Sequence, residues 1–477
     1  MPSRGPERSS GINQAIVQLG ALFVLLFVVL AGRQVWLQVV AGPRLAQNVH
    51  NPRAALLAPY RGPIVARDGT VLAYSSAHGR RYPFGESLAH ALGYASERYG
   101  TSGLEAVFDR DLAGRPVAND PPAQWHRIIS RETAPAERGA TVVTTIDPQV
   151  QSTLYAALSD YPRAAGIALD PRTGEVLALA SVPSFDPAEI DREFASISTD
   201  ARSPLLDRAL DGLYPPGSTF KIVTASDALD SAVVTPEDTF YDPGFLKVGD
   251  FIVHDNEGEV TGTQDLAGAF ALSSNVDFAQ IAARLGADRW FDYAARWKLG
   301  EPIGFTLPVS RDHLPSPDSV TPSILAQLAF GQADLLVTPM RMALVGSTIA
   351  AGGNEPRPYL VRTVRAGDGR ELHRIEPSTL AQPVSPETAD RVRMLMIAVV
   401  RRGTGTAAAL PGVQVAGKTG TATNPAGKSH AWFVAFAPAE SPRVAVAIVV
   451  ENVGYGGTFA APIARKVLAV ALARNRT

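Results

Sequence analysis

The chain changes its periodicity twice, and that order constrains the fold more than any single residue does. Two apolar, strand-like runs come first, at 164–169 and 175–181, split by the turn composition Asp170-Pro171-Arg172-Thr173-Gly174. From about residue 222 to 402 the pattern is helical. Thr338-Pro339 opens one helix that stops at Gly352-Gly353. Ser385-Pro386-Glu387 opens another, closed by Arg401-Arg402 and Gly403. Strands then return at 413–423, 431–437 and 443–451, and an amphipathic helix is predicted over 462–474. Strands on both sides of a helical insert have to pair across it, which predicts an α+β domain.

Upstream, residues 9–32 carry no charge and 15–31 are apolar almost throughout. A helix of about 20 such residues spans the roughly 30 Å of a bilayer core. No small-x-small cleavage pattern precedes Arg33, so an uncleaved anchor over 11–32 is expected, behind a short tail at 1–10. Arg4 and Arg8 on one side, and Arg33, Arg44 and Arg53 on the other, leave its orientation open. Residues 42–140 form a first soluble region rich in arginine, proline and glycine. Within it, 61–73 reads as strand, turn at Asp68-Gly69, and strand, while 114–122 reads as a loop. It holds no catalytic cluster and is expected to be a scaffold. A second region, 141–477, opens on a strand at 141–146 and a helix capped by Asp147-Pro148.

The chemistry gathers around Tyr214-Pro215-Pro216-Gly217-Ser218-Thr219-Phe220-Lys221. The prolines and glycine force a turn, and the residues beyond can run on as a helix. Ser218 then falls at a helix N-terminus, where free N–H groups and the dipole favour negative charge. Lys221, three residues on, rises on the same face. A hydroxyl beside an amine at such a place is a nucleophile with its base; an N-capping serine beside a solvated lysine is the bland alternative. Composition weighs on this choice. Only six of the 44 basic residues are lysine, and arginine does not give up its proton. That bias singles out Lys221 and Lys418. A net charge of −2 points to no nucleic-acid partner. The absence of cysteine excludes thiolate metal sites, disulfides and a thiol nucleophile. The eight histidines show no metal-ligand spacing, so neither metal nor cofactor is expected.

Two further segments join the first. Ser273-Ser274-Asn275 lies in a non-helical joint before a helix at 276–285, and Lys418-Thr419-Gly420-Thr421 lies on the strand-like run from Val413. S-x-x-K, S-x-N and K-T-G, in this order with a helical insert before the last, form the set of the active-site serine penicillin-recognising enzymes. Asp170-Pro171-Arg172-Thr173-Gly174-Glu175, Phe185-Asp186-Pro187, Gly331-Gln332, Gly403-Thr404-Gly405 and His430-Ala431-Trp432-Phe433 extend the likeness. Arg61-Gly62 to Gly69 and Gly103-Leu104-Glu105 resemble the N-terminal pedestal of the class B, monofunctional penicillin-binding proteins. Nearly everything after the anchor is thus similar to that family. Ala66 stands where the family usually has Asp, Asp68 where Asn is common, and Ala435 where Gly is usual.

The resemblance implies a β-lactamase/transpeptidase-like domain over 141–477, with an antiparallel sheet, flanking helices and an all-helical lobe, and a pedestal (dimerisation-like) domain over 42–140. It implies a membrane-anchored D,D-transpeptidase that cross-links peptidoglycan stem peptides ending in D-Ala-D-Ala and is acylated by β-lactams. The catalytic domain would lie outside the cell (inner) membrane, with a SEDS-family membrane glycosyltransferase as partner. Ser218 would attack the carbonyl of the penultimate D-Ala, and Lys221 would accept its proton. Ser273 would pass a proton to the departing amine. Asn275 would hold Lys221 and the substrate amide. Lys418 would add positive potential, the Thr419 and Thr421 hydroxyls would bind the terminal carboxylate, and Gly420 would let the substrate backbone approach the strand. The N–H groups of Ser218 and Thr421 would form the oxyanion hole. His430 reads as structural. A D,D-carboxypeptidase or β-lactamase would use the same site with water in place of an acceptor amine; a penicillin-binding sensor or scaffold is the non-catalytic rival.

Overall fold

The computed structural model describes residues 9–35, 61–114, 139–424 and 427–474. Most of the expected tail, residues 42–60 of the expected pedestal, and its loop beyond Gly114 lie outside the described residues. Residues 1–58 and 59–477 are two separate units. In the first, α1 (Ser9–Val35) is one uninterrupted helix, and its stretch Ile16–Arg33 is apolar, fully exposed and long enough to cross a membrane.

The second unit starts with three short strands, β1 (Ile64–Val65), β2 (Val71–Ser76) and β3 (Gly79–Arg81). β1 and β2 are the hairpin expected around Asp68-Gly69, and Asp68 Oδ1 accepts from the Thr70 N–H at 3.0 Å. Aspartate therefore supplies the side-chain turn bond that an asparagine would. β4 (Thr141–Thr144) runs parallel to β1, and the helix after it, α2 (Pro148–Leu158), is capped by the Asp147 carboxylate. β5 (Ala164–Leu169) and β6 (Val176–Val182) form the predicted hairpin. Then come α3 (Lys221–Asp230), α4 (Leu266–Leu272), α5 (Asn275–Leu285) and α6 (Pro339–Ala350). β7 (Val361–Arg365), β8 (Glu371–Arg374) and α7 (Pro386–Arg402) follow. β9 (Ala416–Asn424), β10 (Gly427–Ala437), β11 (Val444–Val450) and α8 (Gly456–Arg474) complete it.

Two sheets result. The larger-core sheet has the order β9-β10-β11-β5-β6 and is antiparallel throughout, so the late strands pair with the early ones across the insert. Its β11 is buried at every residue, because both faces are covered. Phe433, Val446 and Ile448 face α2 and α8, while Trp432, Val434 and Val449 join the core that holds α6. The other sheet has the order β8-β7-β4-β1-β2-β3 and runs across the boundary expected at residue 141.

The insert is not all helical. Besides β7 and β8 it contains the strands Thr239–Asp242 and Gly262–Asp265, paired with each other, and the hairpin Phe245–Val248 with Phe251–His254. The hairpin's two-residue Gly249-Asp250 turn, with alternating exposure in its first strand, is a local signal that the long helical periodicity around it masks. α8 also begins six residues before its expected start, with Pro462 inside it. Ala460 and Ala461 are fully buried, and that packing outweighs the preference of proline for a first turn.

The family-like residues at the N-terminal end meet in a buried charge cluster. Arg61 Nε and Arg80 Nε each donate to Glu105 at 2.7 Å, and Arg61 also reaches Asp109 at 2.8 Å. Removing the carboxylate leaves two guanidinium groups without their central partner. Glu105→Ala is expected to cost about 3–5 kcal/mol, measured by denaturant unfolding, and a loss below about 1 kcal/mol would contradict this account.

Candidate active site

Ser218 is positioned by contacts on both sides of its turn. Tyr214 exchanges backbone hydrogen bonds with Val337 at 3.0 and 2.9 Å, and the Gly217 N–H donates to Gly331 O at 2.9 Å. Trp432 Nε1 on β10 donates to Pro215 O at 3.1 Å, and the Tyr214 hydroxyl donates to Glu451 at 2.8 Å. Gly217 has φ +54°, and a Cβ there would lie 2.8 Å from Thr421 O, so the turn needs glycine on two counts. Ser218 itself lies in a single 3-10 turn, Gly217–Phe220, that runs straight into α3. This differs slightly from the capping position expected for it. The serine opens onto a cleft of about 430 Å³ whose walls include Ser273, Thr404, Thr419, Thr421 and Tyr455.

The second segment is held in an unusual backbone. Ser273 closes α4 with φ +67°, a left-handed conformation uncommon outside glycine. Ser274 then caps α5 by accepting from the Asp277 N–H at 3.0 Å. The joint aims Ser273 and Asn275 at Lys221. Lys221 Nζ donates to Ser273 O at 2.5 Å and to Asn275 Oδ1 at 2.8 Å, and lies 3.3 Å from Ser273 Oγ. From β9, Lys418 Nζ donates to Ser273 Oγ at 2.7 Å and to Thr419 O at 3.1 Å. All three sequence motifs therefore converge on one hydroxyl. Among the described residues, Ser218 Oγ makes no hydrogen bond to Lys221; such bonds are often loose before substrate binds.

Both lysines are fully buried. Burial pulls Lys221 down to about 7, against the attraction of Asp255, Asp277 and Asp242. Burial, and then the charge of Lys221, pull Lys418 well below the ordinary lysine range. Each ammonium also lies over an aromatic face, Lys221 at 5.2 Å from the Phe278 ring and Lys418 at 5.5 Å from Phe270. A neutral Lys221 amine still has two N–H groups for Ser273 O and Asn275 Oδ1, which leaves its lone pair free to take a proton.

The K-T-G strand lies at the sheet edge with its residues in three settings. The Thr419 hydroxyl is 2.5 Å from the Thr404 hydroxyl, and Thr421 lines the cleft. A Cβ on Gly420 would come within 2.9 Å of Pro216 O, Thr219 Cγ2 and Trp432 Cβ. The serine turn packed on the strand therefore itself requires glycine at this position. Ala435, in place of the usual glycine, is fully buried opposite Gly417. His430 is part of the scaffold: its ring packs edge-on against Tyr214 and its Nδ1 accepts from the Asn452 N–H at 3.3 Å. Asp242, Asp255 and Asp277, behind the lysine, went unnoticed in the sequence because they lie in the stretch read as helix.

The fold and motifs match known proteins. The model of the penicillin binding protein transpeptidase domain matches residues 164–469, and that of the penicillin binding protein A dimerisation domain matches 61–142. The chain belongs to the penicillin-binding protein transpeptidase family. It is 34% identical to the peptidoglycan D,D-transpeptidase PbpA of Mycolicibacterium smegmatis, over 97% of this chain and 99% of that protein. It is 30% identical to the stage V sporulation protein D of Bacillus subtilis, over 82% of this chain and 63% of the other. Among solved structures, penicillin-binding protein A of Mycobacterium tuberculosis as its ceftriaxone acyl-enzyme superposes with a TM-score of 0.79. That match has 33% identity and covers 88% of this chain and 100% of the other. These class B relatives agree with the family resemblance read from the three motifs.

Gly217→Ala tests the geometry of the serine turn. The positive φ and the close Thr421 carbonyl together are expected to lower stability by about 1–3 kcal/mol, read from chemical denaturation. A variant as stable as wild type would show that the turn tolerates a side chain.

Proposed function

We propose that this protein is a membrane-anchored peptidoglycan D,D-transpeptidase, working through an acyl-enzyme on Ser218. The observation that carries this reading is the meeting of Lys221 and Lys418 on Ser273 Oγ beside the serine turn. Ser218 Oγ attacks the carbonyl of the penultimate D-Ala while neutral Lys221 takes its proton. The Ser218 and Thr421 N–H groups stabilise the oxyanion. Ser273, fed by the two lysine amines, delivers a proton to the departing D-Ala amine. Asn275 holds Lys221 and the substrate amide. Lys418 supplies positive potential without touching the carboxylate, which the Thr419 and Thr421 hydroxyls receive. Thr404, at 2.5 Å from Thr419, orients that hydroxyl. Gly420 contributes its backbone along the strand edge. An acceptor amine from a second stem peptide then releases the acyl group and forms the cross-link. β-Lactams acylate Ser218 as mimics of the donor, in keeping with relatives solved as ceftriaxone and penicillin G acyl-enzymes.

In this reading α1 anchors the chain in the cell membrane, and the domain over 141–477 works on its outer side, raised by the pedestal at 42–140. A SEDS-family glycosyltransferase is the membrane partner that would supply nascent glycan, a proposal drawn from the family resemblance.

Labelling with a fluorescent penicillin tests the assignment. Wild type is expected to form a covalent adduct, Ser218→Ala none, and Lys221→Ala an adduct at a rate lower by about two to four orders of magnitude. An adduct on the Ser218→Ala protein would remove Ser218 as nucleophile, and steady-state penicillin turnover by wild type would favour a hydrolase. The acylation rate should rise as pH increases through about 7, as Lys221 loses its proton. A rate flat across that interval would deny Lys221 the role of base.

A further inference from the structure

We propose that Asp255 is a positioning residue for acylation: it shares one proton with Asp242, and this carboxyl pair holds Asn275 against Lys221. The inference rests on the transpeptidase reading for its kinetic part only. The two groups come from the strands inserted between the serine helix and the Ser273 joint. Asp242 ends the strand Thr239–Asp242, and Asp255 follows the strand Phe251–His254.

Their hydrogen bonds divide the labour. Asp255 Oδ1 accepts from the Asn275 N–H in a short contact and from the Val276 N–H at 3.3 Å, which caps the start of α5. One residue earlier, His254 O accepts from Asn275 Nδ2 at 3.0 Å. That bond sets the amide so that Oδ1, not Nδ2, faces Lys221 Nζ. The insert thus grips Asn275 by both backbone and side chain. Asp242 accepts from three donors, which leaves one acceptor site of its carboxylate open. Its Oδ1 accepts from the Gly244 N–H at 2.7 Å, and its Oδ2 from Thr261 Oγ1 at 2.7 Å and Ser274 Oγ at 3.1 Å.

Asp255 Oδ2 is buried and no donor reaches it. The consecutive residues Ser274 and Asn275 donate to Asp242 and Asp255 respectively, which holds the two carboxyls side by side in hydrogen-bonding contact. Two ionised carboxylates cannot satisfy each other in that position, whereas an O–H on Asp255 donating to Asp242 can. Burial, then the Asp242 contact, push Asp255 upward; burial pushes Asp242 the same way, but the Asp255 contact and the donors Thr261, Gly244 and Ser274 together hold it down. The remaining charges facing the pair are Lys221 on α3 and Asp277 on α5, the latter raised by burial to about 6; Lys418 stands beyond Ser273. Loss of the shared proton places a second negative charge beside Lys221, favours its cationic form and drives the two carboxylates apart. Acylation then declines on the alkaline side.

The test compares wild type, Asp255→Asn and Asp255→Leu by fluorescent-penicillin acylation from about pH 5.5 to about pH 9, and by melting temperature over the same range. Asparagine keeps both hydrogen bonds, one accepted from α5 and one donated to Asp242, but cannot ionise. Asp255→Asn is expected to acylate within about threefold of wild type at pH 6.5 and to lose the alkaline decline. Asp255→Leu is expected to be slower by about tenfold or more at every pH. The melting readout does not depend on activity. The raised Asp255 gives wild type a contribution that is complete below its unfolded value and lost as pH rises through its folded value. The melting temperature of Asp255→Asn relative to wild type should therefore increase with pH. An alkaline limb shared by wild type and Asp255→Asn, or a melting difference independent of pH, overturns the shared proton. An Asp255→Asn enzyme more than about tenfold slower at pH 6.5, or a leucine variant at wild-type rate, overturns the positioning role. If the leucine protein fails to fold, the asparagine results alone decide. A wild type that is never acylated would end the transpeptidase reading and leave the melting comparison intact.

Discussion

Two buried amines meeting on one hydroxyl is the arrangement on which the rest of the structure depends. Lys221 and Lys418 come from a helix and an edge strand nearly two hundred residues apart in sequence, and Ser273 from a joint between two further helices. Like charges this close are unfavourable in a low dielectric unless at least one is neutral. The fold is therefore arranged to withhold water from the amines, and the reward is a base available near neutral pH. Aromatic faces and backbone carbonyls contact the amines directly, and the carboxyl groups of Asp242, Asp255 and Asp277 stand behind Lys221.

Holding such a cluster demands rigidity from everything around it. The serine turn is pinned by Gly331 and Val337 from the loop before α6, by Trp432 on β10 and by Glu451 after β11. Glu451 also takes Arg208 Nε at 2.9 Å, so the end of β11 and the approach to the serine are tied by one carboxylate. The left-handed Ser273 is a local cost of order 1–3 kcal/mol that only dense packing can sustain. The site is a place where stability is given up so that geometry can be kept.

Much of this was legible in the sequence because it depended on local rules. The caps at Asp147, Thr338 and Ser385 are where proline and a short polar side chain said they would be. The three motifs name their own neighbours, and lysine scarcity marked the two amines. What escaped was set by tertiary context. Phe245–Val248 and Phe251–His254 alternate weakly, since one face packs on a small satellite core and the other is open, and the surrounding helices dominated the reading. The carboxyl pair behind Asn275 has no sequence spacing of its own; it exists because those strands fold back. At Gly420 the close approach of the serine turn is a tertiary contact that no sequence spacing reveals.

The mixed sheet at the N-terminal end has a consequence for dissecting the protein. β4 pairs with β1 on one side and β7 on the other, so its ladder is shared by segments far apart along the chain. Cutting before residue 141 to isolate the catalytic part would strip β4 of its parallel neighbour and bare a strand edge. Such an edge invites pairing with a second copy. The smallest well-behaved fragment therefore has to begin upstream of Arg61, and a preparation trimmed at the apparent junction should stick to itself.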